Sequence, residues 1–591
     1  IALDFHLRLG DAEKAFSEAV HVFENTFRTQ QTMHTPFEPM VAIADVTHDR
    51  ATIHSSTQSP SFVRYELSRL LGWPESNVRV RTGHLGGGFG AKVYVKVEAL
   101  ALALSMLAHR PVRVAQTMEE QFYTITKHPS TFRIRSAVDG EGRIVGRKCE
   151  VWWNGGAYAD IGPRVTQKSG FTAAGPYDIE NIDIDSFALY TNRPPAGALR
   201  GFGIPQLVWA YESHTDVIAR ELGIDPVEFR KRNILRDGRP QAVGTVVKDA
   251  KFETVLDDTA RHLGWGRSFD RGKGTKRRGR GIAIGFKASI SPTTSSAIVS
   301  VNADGSVIIY CSTVDMGQGS DTAMAQIAAE VLDIPLERIR VVNPDTDVTP
   351  YDMSTLGSRS TYHMGHAVQL AAADAKVKLV AMAEEVGMPE GSNAPLPELF
   401  IKKFGMRAGT IVGTANYKPD YAPTDPETGL SPNATPFWMI GATGAEVEVD
   451  TETGDFTIMR MINVCDAGKP INPAVVETQL SGAAVMQLGF TTTERMIFEN
   501  GQLTNPSLAD YKVPGIFDMP VQMENVMIEA EQHDGPFGAK GAGESGTFGV
   551  SPAVANAIED AVGVRVLTLP ITAEAIFRAL RAKDGVLLAE S

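Results

Sequence analysis

The sequence predicts a mixed α+β fold built as two large halves, each holding its own helix-and-strand units. Three observations predict it. The first is bulk: 591 residues, 43% hydrophobic and 21% charged, can bury several cores. At ~150 residues per domain the length suggests roughly three to five units. The second is a pattern met once in each half. Leu71-Gly72-Trp73-Pro74 precedes Val78-Arg79-Val80, and Leu332-Asp333-Ile334-Pro335 precedes Ile339-Arg340-Val341 at the same spacing. Each reads as a helix end, a proline turn and a β-branched strand. The third is a hairpin signal, Asp304-Gly305 between the strand-like stretches 296–302 and 306–313.

Composition narrows the function. The chain has 57 Lys+Arg against 70 Asp+Glu, a net charge of −13, so no broad basic face exists for nucleic acid. The most apolar stretch, Val97–Ala108, is too short for a membrane span and contains Glu98. Cys149, Cys311 and Cys465 stand far apart with no CxxC pair. That spacing excludes a disulfide framework, a cysteine zinc site and an iron–sulfur cluster made by this chain alone. Position 1 is Ile and no charged-then-apolar leader follows, as expected of a mature, trimmed or interior start. Scarce cysteine agrees with the cytoplasm, and a removed signal would place the chain in the periplasm.

Taken in chain order, the elements are punctuated by glycine, 55 residues or about 9% against a usual ~7%. The run from Gly83 to Lys92 leads into an Ala/Leu-rich helix ending near His109. Ala196 to Gly203 leads into a helix with Pro205 in its first turn and Gly223 at its end. Residues 267–280, RSFDRGKGTKRRGR, form the one dense basic run. They read as an exposed linker between a domain at 1–266 and a second at 281–591, the alternative being a docking patch for an acidic partner. Met316-Gly317-Gln318-Gly319 opens a helix through Leu332, with Ser320 or Asp321 as N-cap. Gly535 to Gly546 precedes a helix started by Ser551-Pro552 and stopped by Gly563.

Glycine admits close backbone approach, and helix N-termini offer N–H groups to anions. Four such loops are either tight turns or, converging, a cradle for a large anionic cofactor. None fits GxxxxGK[ST], and the bunched glycines of the first loop do not meet the GxGxxG spacing. Glu544, among Gly541, Gly543 and Gly546, reads as a general base facing a cleft or as a cap on the next helix. Arg200 could bind an anion or pair with a surface carboxylate. Gln318 could hydrogen-bond a polar ring or lie in an exposed turn. His34 has no second histidine at ligand spacing and reads as structural. Asp45, Asp178 and Asp466 show no partner arrangement.

Together the loops resemble the large, molybdopterin-binding subunit of the xanthine dehydrogenase and aldehyde oxidoreductase family, the molybdenum hydroxylases. The motifs appear in the family's order: GGGFGAK at 86–92, ALRGFGIPQ at 198–206, MGQG at 316–319, GSRST at 357–361, QLSGA at 479–483 and KGAGESG at 540–546. The resemblance runs from about residue 11 to the C-terminus. It implies two large elongated molybdenum-cofactor-binding domains, each of two subdomains, and a cofactor of molybdenum and molybdopterin, in its plain or cytosine dinucleotide form. It implies cofactor contacts from Gly88, Phe89, Gly90, Arg200, Gly317, Gln318, Gly357, Ser358, Gln479, Lys540, Gly541 and Gly543. The metal would be held by the cofactor's dithiolene, with no protein ligand.

Glu544 matches the family's base, which would deprotonate a molybdenum-bound hydroxyl while hydride passes to the metal centre. Electrons would then pass to a [2Fe-2S] subunit and an FAD subunit. The family's small N-terminal domain has no counterpart, which implies a separate chain, cleavage or a segment outside this sequence. Val93 stands where purine-oxidising members carry a ring-binding glutamate, pointing to an aldehyde or a simpler N-heteroaromatic. Thr32 stands two residues before His34 where members carry a glutamine, with Gln31 one place earlier, and Lys168 lies near the position of their arginine. Two other readings are a reductive member acting on an aromatic CoA thioester and a non-catalytic scaffold subunit that kept the glycine loops.

Overall fold

The computed structural model describes residues 1–289, 293–388 and 396–585. Its fold is a duplication, two sheets of four or five strands in each half that match in pairs, with one two-stranded ribbon, Phe498–Glu499 and Gln502–Leu503, beside those of the second half.

In the first half Val41–Val46 and Ala51–Ser55 form a hairpin. Helix Pro60–Leu71 then crosses back, so that Val78–Arg81 pairs parallel with Ala51–Ser55. Val112–Ala115 closes the other edge antiparallel. The second half repeats these steps. Ser295–Asn302 and Val307–Tyr310 form the hairpin, Ser320–Leu332 the crossover helix, Ile339–Val342 the parallel edge and Thr410–Tyr417 the antiparallel one. Both crossovers end in a left-handed residue. Gly72 takes it at φ +67° without a Cβ penalty, whereas Asp333 takes it at φ +55° as a side-chain-bearing residue.

The remaining sheets also correspond. His21–Thr29, Ser130–Val138, Ile144–Asn154 and Asn181–Leu189 are joined antiparallel, antiparallel and parallel. Lys276–Ala288, Trp438–Asp450, Phe456–Asp466 and Gln522–Ile528 repeat that sequence of pairings. Leu3–Leu9 adds one further edge strand to the first of the two.

The core does not stop at the middle of the chain. Helix Ile204–Glu221 is buried along nearly its whole length. Its Val208, Trp209 and Tyr211 share one hydrophobic cluster with Ile282, Ile284, Phe286 and Phe548. Beneath them the buried Arg230 guanidinium pairs with Glu212 at 2.8 Å and Asp216 at 3.3 Å.

Two local expectations are corrected. The expected linker ends early, because Lys276–Ala288 is already a strand paired in register with Trp438–Asp450. Its arginines meet acids on the facing strand, Arg278 with Glu448 and Arg280 with Glu446, each at 2.7 Å. Two of the run's seven cations are thereby paired from within the chain. The helix after the third glycine loop is capped by Gly319, not by Ser320 or Asp321. No helix among the described residues is long and apolar enough to cross a membrane.

Candidate functional site

The four glycine loops meet. With the 355–358 loop and the start of helix Pro473–Thr492 they enclose one cavity of about 440 Å³ between the halves. Loop one contributes Phe89 and Gly90, loop two residues 198–200 and Phe202, loop three residues 316–320, and loop four residues 540–544. Three helices begin at this wall: Ser320–Leu332, Pro473–Thr492, and the π-turn Ser360–Met364 that continues into Gly365–Glu385. Their N-termini favour negative charge. Among the described residues ten non-glycines have positive φ, and Phe89, Phe202 and Ser358 of this wall are three of them. Backbone strain of that kind is retained where surrounding packing fixes a side chain for use.

Glu544 sits at the wall, buried. Gly201 N–H donates to its Oε1 at 2.8 Å and the Ser358 hydroxyl to its Oε2 at 2.9 Å. Oε2 also accepts from the buried ammonium of Lys287. Burial raises the carboxyl's pKa, but Lys287 and the two hydrogen-bond donors outweigh it and hold the group below the ordinary glutamate value. The sequence did not single out Lys287. The signal was there: one charge inside the apolar, glycine-spaced stretch 281–288 that ends strand Lys276–Ala288.

The other expected residues divide into groups. Phe89, Gly90, Arg200, Gly317, Gln318, Gly357, Ser358, Gln479, Lys540, Gly541 and Gly543 all line the cavity. Gly88 does not. A Cβ there would lie 2.6 Å from Gln58 Oε1, so Gly88 makes room for Gln58, a wall residue the sequence did not flag. Gln58 Oε1 accepts from Gly90 N–H at 3.0 Å, and its Nε2 donates to Thr355 O at 2.8 Å.

Gln318 closes its own loop. Its Nε2 donates to Val314 O at 2.9 Å and its Oε1 accepts from Met316 N–H at 2.7 Å. The Lys540 ammonium turns back to Asp466 at 2.7 Å, which supplies the partner the sequence could not show. Arg200 Nε donates to Gly543 O at 2.6 Å and its Nη2 to Gln479 Oε1 at 2.8 Å. Burial without a bonded carboxylate lowers its pKa to about 10, with Glu544 acting in the opposite sense.

The remaining family positions lie around this wall. Val93 lines the cavity and brings no charge to it. Gln31 does not reach it, because its Nε2 donates to Thr126 Oγ1 at 2.7 Å. His34 Nε2 donates to Ala198 O at 2.5 Å, and burial lowers its pKa to about 4, so it is a neutral support for the second loop. Lys168 lies outside the lining, its ammonium 4.7 Å from the Phe171 ring centroid and 5.3 Å from that of Tyr421. A more open groove of about 580 Å³ between strands Val78–Arg81 and Ile339–Val342 contains none of the expected site residues.

The wall is therefore basic at Arg200 and Lys540, acidic at Glu544 and otherwise backbone, hydroxyl, carboxamide and apolar. Among the described residues no group of three or more His, Cys, Asp or Glu side chains could hold a metal ion. The cavity is built for an organic guest carrying negative charge.

Comparison with known proteins identifies the family. Models of the molybdopterin cofactor-binding domain match residues 1–234 and 258–520. The xanthine dehydrogenase molybdenum-binding subunit of Escherichia coli O157:H7 is 32% identical over 593 residues, covering 96% of this chain and 78% of that protein. The nicotine 6-hydroxylase large subunit of Paenarthrobacter nicotinovorans is 30% identical over 613 residues, covering 97% and 75%. Aldehyde oxidoreductase from Desulfovibrio gigas matches in structure with a TM-score of 0.90 at 27% identity, over 98% of this chain. The chain spans 63% of the length of that oxidoreductase.

Proposed function

Because the chain belongs to the xanthine dehydrogenase and aldehyde oxidoreductase family of molybdenum-dependent oxidoreductases, we propose that it is the catalytic subunit of a molybdenum hydroxylase. The reaction would insert a water-derived oxygen at an electron-poor carbon of an aldehyde or an N-heteroaromatic ring. Electrons would leave to an iron–sulfur subunit and then to a flavin subunit.

The cavity fits the molybdenum–pterin group. An added Cβ at Gly317 would meet no atom within 4 Å, and one at Gly543 only Ser358 Oγ at 3.6 Å. Space has been left there by omitting side chains, beside three helix N-termini and the Arg200 guanidinium. The loop backbones at 317–319 and 541–543, with Arg200 and the Gln479 amide, would hold the pterin and its phosphate. When bound, the group supplies the oxygen to be transferred and accepts the electrons of the oxidation.

The chain's residues do the rest. Glu544 Oε2 is filled by Lys287 and Ser358, whereas Oε1 accepts one hydrogen bond, from Gly201. A carboxylate oxygen has room for two, so the proton is taken at Oε1. Phe89, Leu199, Phe202 and Leu356 form an apolar wall that excludes water and accepts a flat substrate. Val93, uncharged at the same wall, suits a substrate that needs no acidic partner on its ring.

The observation that carries this reading is a buried, ionised carboxylate with an open acceptor position beside a glycine cradle. The test is Glu544→Gln in the assembled enzyme. Molybdenum content should stay unchanged while turnover falls by several orders of magnitude, the scale of losing an essential base. Near-normal turnover would remove Glu544 from that role. Anaerobic reduction by a panel of aldehydes, purines and azaarenes identifies the substrate class.

A further inference from the structure

Lys287 does not line the cavity. It lies behind Glu544, on strand Lys276–Ala288, with a side chain 3% exposed and its ammonium 5.8 Å from the Phe202 ring centroid. A lysine buried this deeply with one carboxylate partner is costly to keep unless its charge does something. Here the partner is the residue to which the proposed reaction assigns the base.

We propose that Lys287 is the positioning residue of this site: it keeps Glu544 unprotonated and occupies Oε2, leaving Oε1 as the oxygen that receives the proton. The inference rests on the reading of Glu544 as the base. Its geometry is direct. Lys287 Nζ and Ser358 Oγ both donate to Oε2, while Gly201 N–H fixes Oε1 from the opposite side. Three separate elements thereby hold one carboxylate, and rotation about its terminal bond would break all three contacts.

Two cations face Glu544. Lys287 comes from the strand and touches the carboxylate. Arg200 comes from the loop before helix Ile204–Glu221, and its guanidinium bonds to Gly543 O and Gln479 instead. Helix Pro473–Thr492 presents only the neutral Gln479 amide, and Lys540 on Glu544's own loop is held by Asp466. Removing the Lys287 charge therefore removes the ammonium in contact. The consequence has a definite sign. Burial, then opposed only by the Gly201 and Ser358 hydrogen bonds, raises the carboxyl's proton affinity, so the base becomes protonated at higher pH and the acidic limb of turnover moves upward.

The test compares K287M and K287R with the parent protein in two forms. In cofactor-free protein, ¹³C-carboxyl infrared spectra, with Glu544→Gln subtracted, report the titration of Glu544 alone. In the assembled enzyme, kcat/KM against pH reports the acidic limb, with molybdenum content measured alongside. K287M should raise both by roughly one to three pH units, the usual effect of losing an adjacent opposite charge, and K287R should restore both. An unchanged Glu544 titration in K287M overturns the proposal. A titration that moves while the acidic limb stays fixed leaves Lys287 as Glu544's partner and overturns the base assignment instead. Should K287M fail to fold, K287Q keeps a donor near Oε2 without its charge and carries the same comparison.

Discussion

Alanine at Gly541 and alanine at Gly543 should have opposite consequences, although only Ala542 separates them. At Gly541 a Cβ would fall 1.6 Å from Ser358 O and 2.7 Å from its carbonyl carbon. Both are backbone atoms of the 357–358 turn, which cannot yield like a side-chain tip. Gly541→Ala must push two loops apart, and overpacking of that kind costs about 1–3 kcal/mol. At Gly543 the nearest atom is Ser358 Oγ at 3.6 Å, ordinary contact. Gly543→Ala should leave the empty protein as stable as before, or up to about 1 kcal/mol more so, because the unfolded chain loses freedom.

The new methyl at Gly543 would instead stand in the cavity. A guest seated on that backbone would be displaced by about one C–C bond, ~1.5 Å. Misplacement of ~1 Å at a reacting centre costs about 100-fold in rate. Denaturant unfolding of cofactor-free protein, molybdenum analysis and turnover together read the outcome. We expect Gly541→Ala to unfold earlier. Gly543→Ala should unfold normally but lose cofactor content, or at least about 100-fold in turnover. A Gly543→Ala enzyme with full content and full turnover would refute the cradle, and a Gly541→Ala protein of parental stability would refute the clash.

Other consequences are equally direct. Gln58→Leu strips Gly90 N–H of its acceptor, a cost of about 1–3 kcal/mol, and should lower molybdenum content through the first loop without touching Glu544. Gly88→Val should act by the same route, by displacing Gln58. Glu212→Ala leaves the Arg230 charge buried beside Asp216 and should destabilise the fold by about 3–5 kcal/mol, measured by denaturant unfolding. His34 and His128 are each lowered to about 4 by burial, below the unfolded value near 6.5. Each therefore contributes on the order of 3 kcal/mol that is present above pH 6.5 and lost as pH falls through 4. Unfolding free energy measured against pH should show that slope, and His128→Gln should flatten it.

The glycine loops were legible because their information is local: a loop, then a helix start, in one stretch of chain. The proline turns at Pro74 and Pro335 were legible for the same reason, and they revealed one helix–strand unit of each half. The rest of the duplication was not legible. Strand partners such as Ser295–Asn302 and Thr410–Tyr417 are more than a hundred residues apart, and their pairing is decided by backbone register. The basic run misled because charge reads as solvent exposure. Its partners, Glu446, Glu448 and Asp450, alternate along a distant strand and so share one of its faces. Lys287 stayed hidden for a related reason, since only tertiary packing brings it to Glu544. Gly88 was expected at the site as part of the GGGFGAK motif, but a motif does not say which way each residue of a turn faces.

The seam between the halves also sets a schedule. Lys287 is made early and its carboxylate partner 257 residues later, so at about 5–20 residues per second the ammonium waits roughly 10–50 s for its charge to be answered. Beyond Glu544 the tail returns to the start of the molecule, where Arg28 exchanges backbone hydrogen bonds with Leu567 and Leu569. A nascent chain therefore has no complete chamber until the loop at 540–544 has left the ribosome. Loading of the cofactor must therefore wait until both halves of the chain have folded against each other.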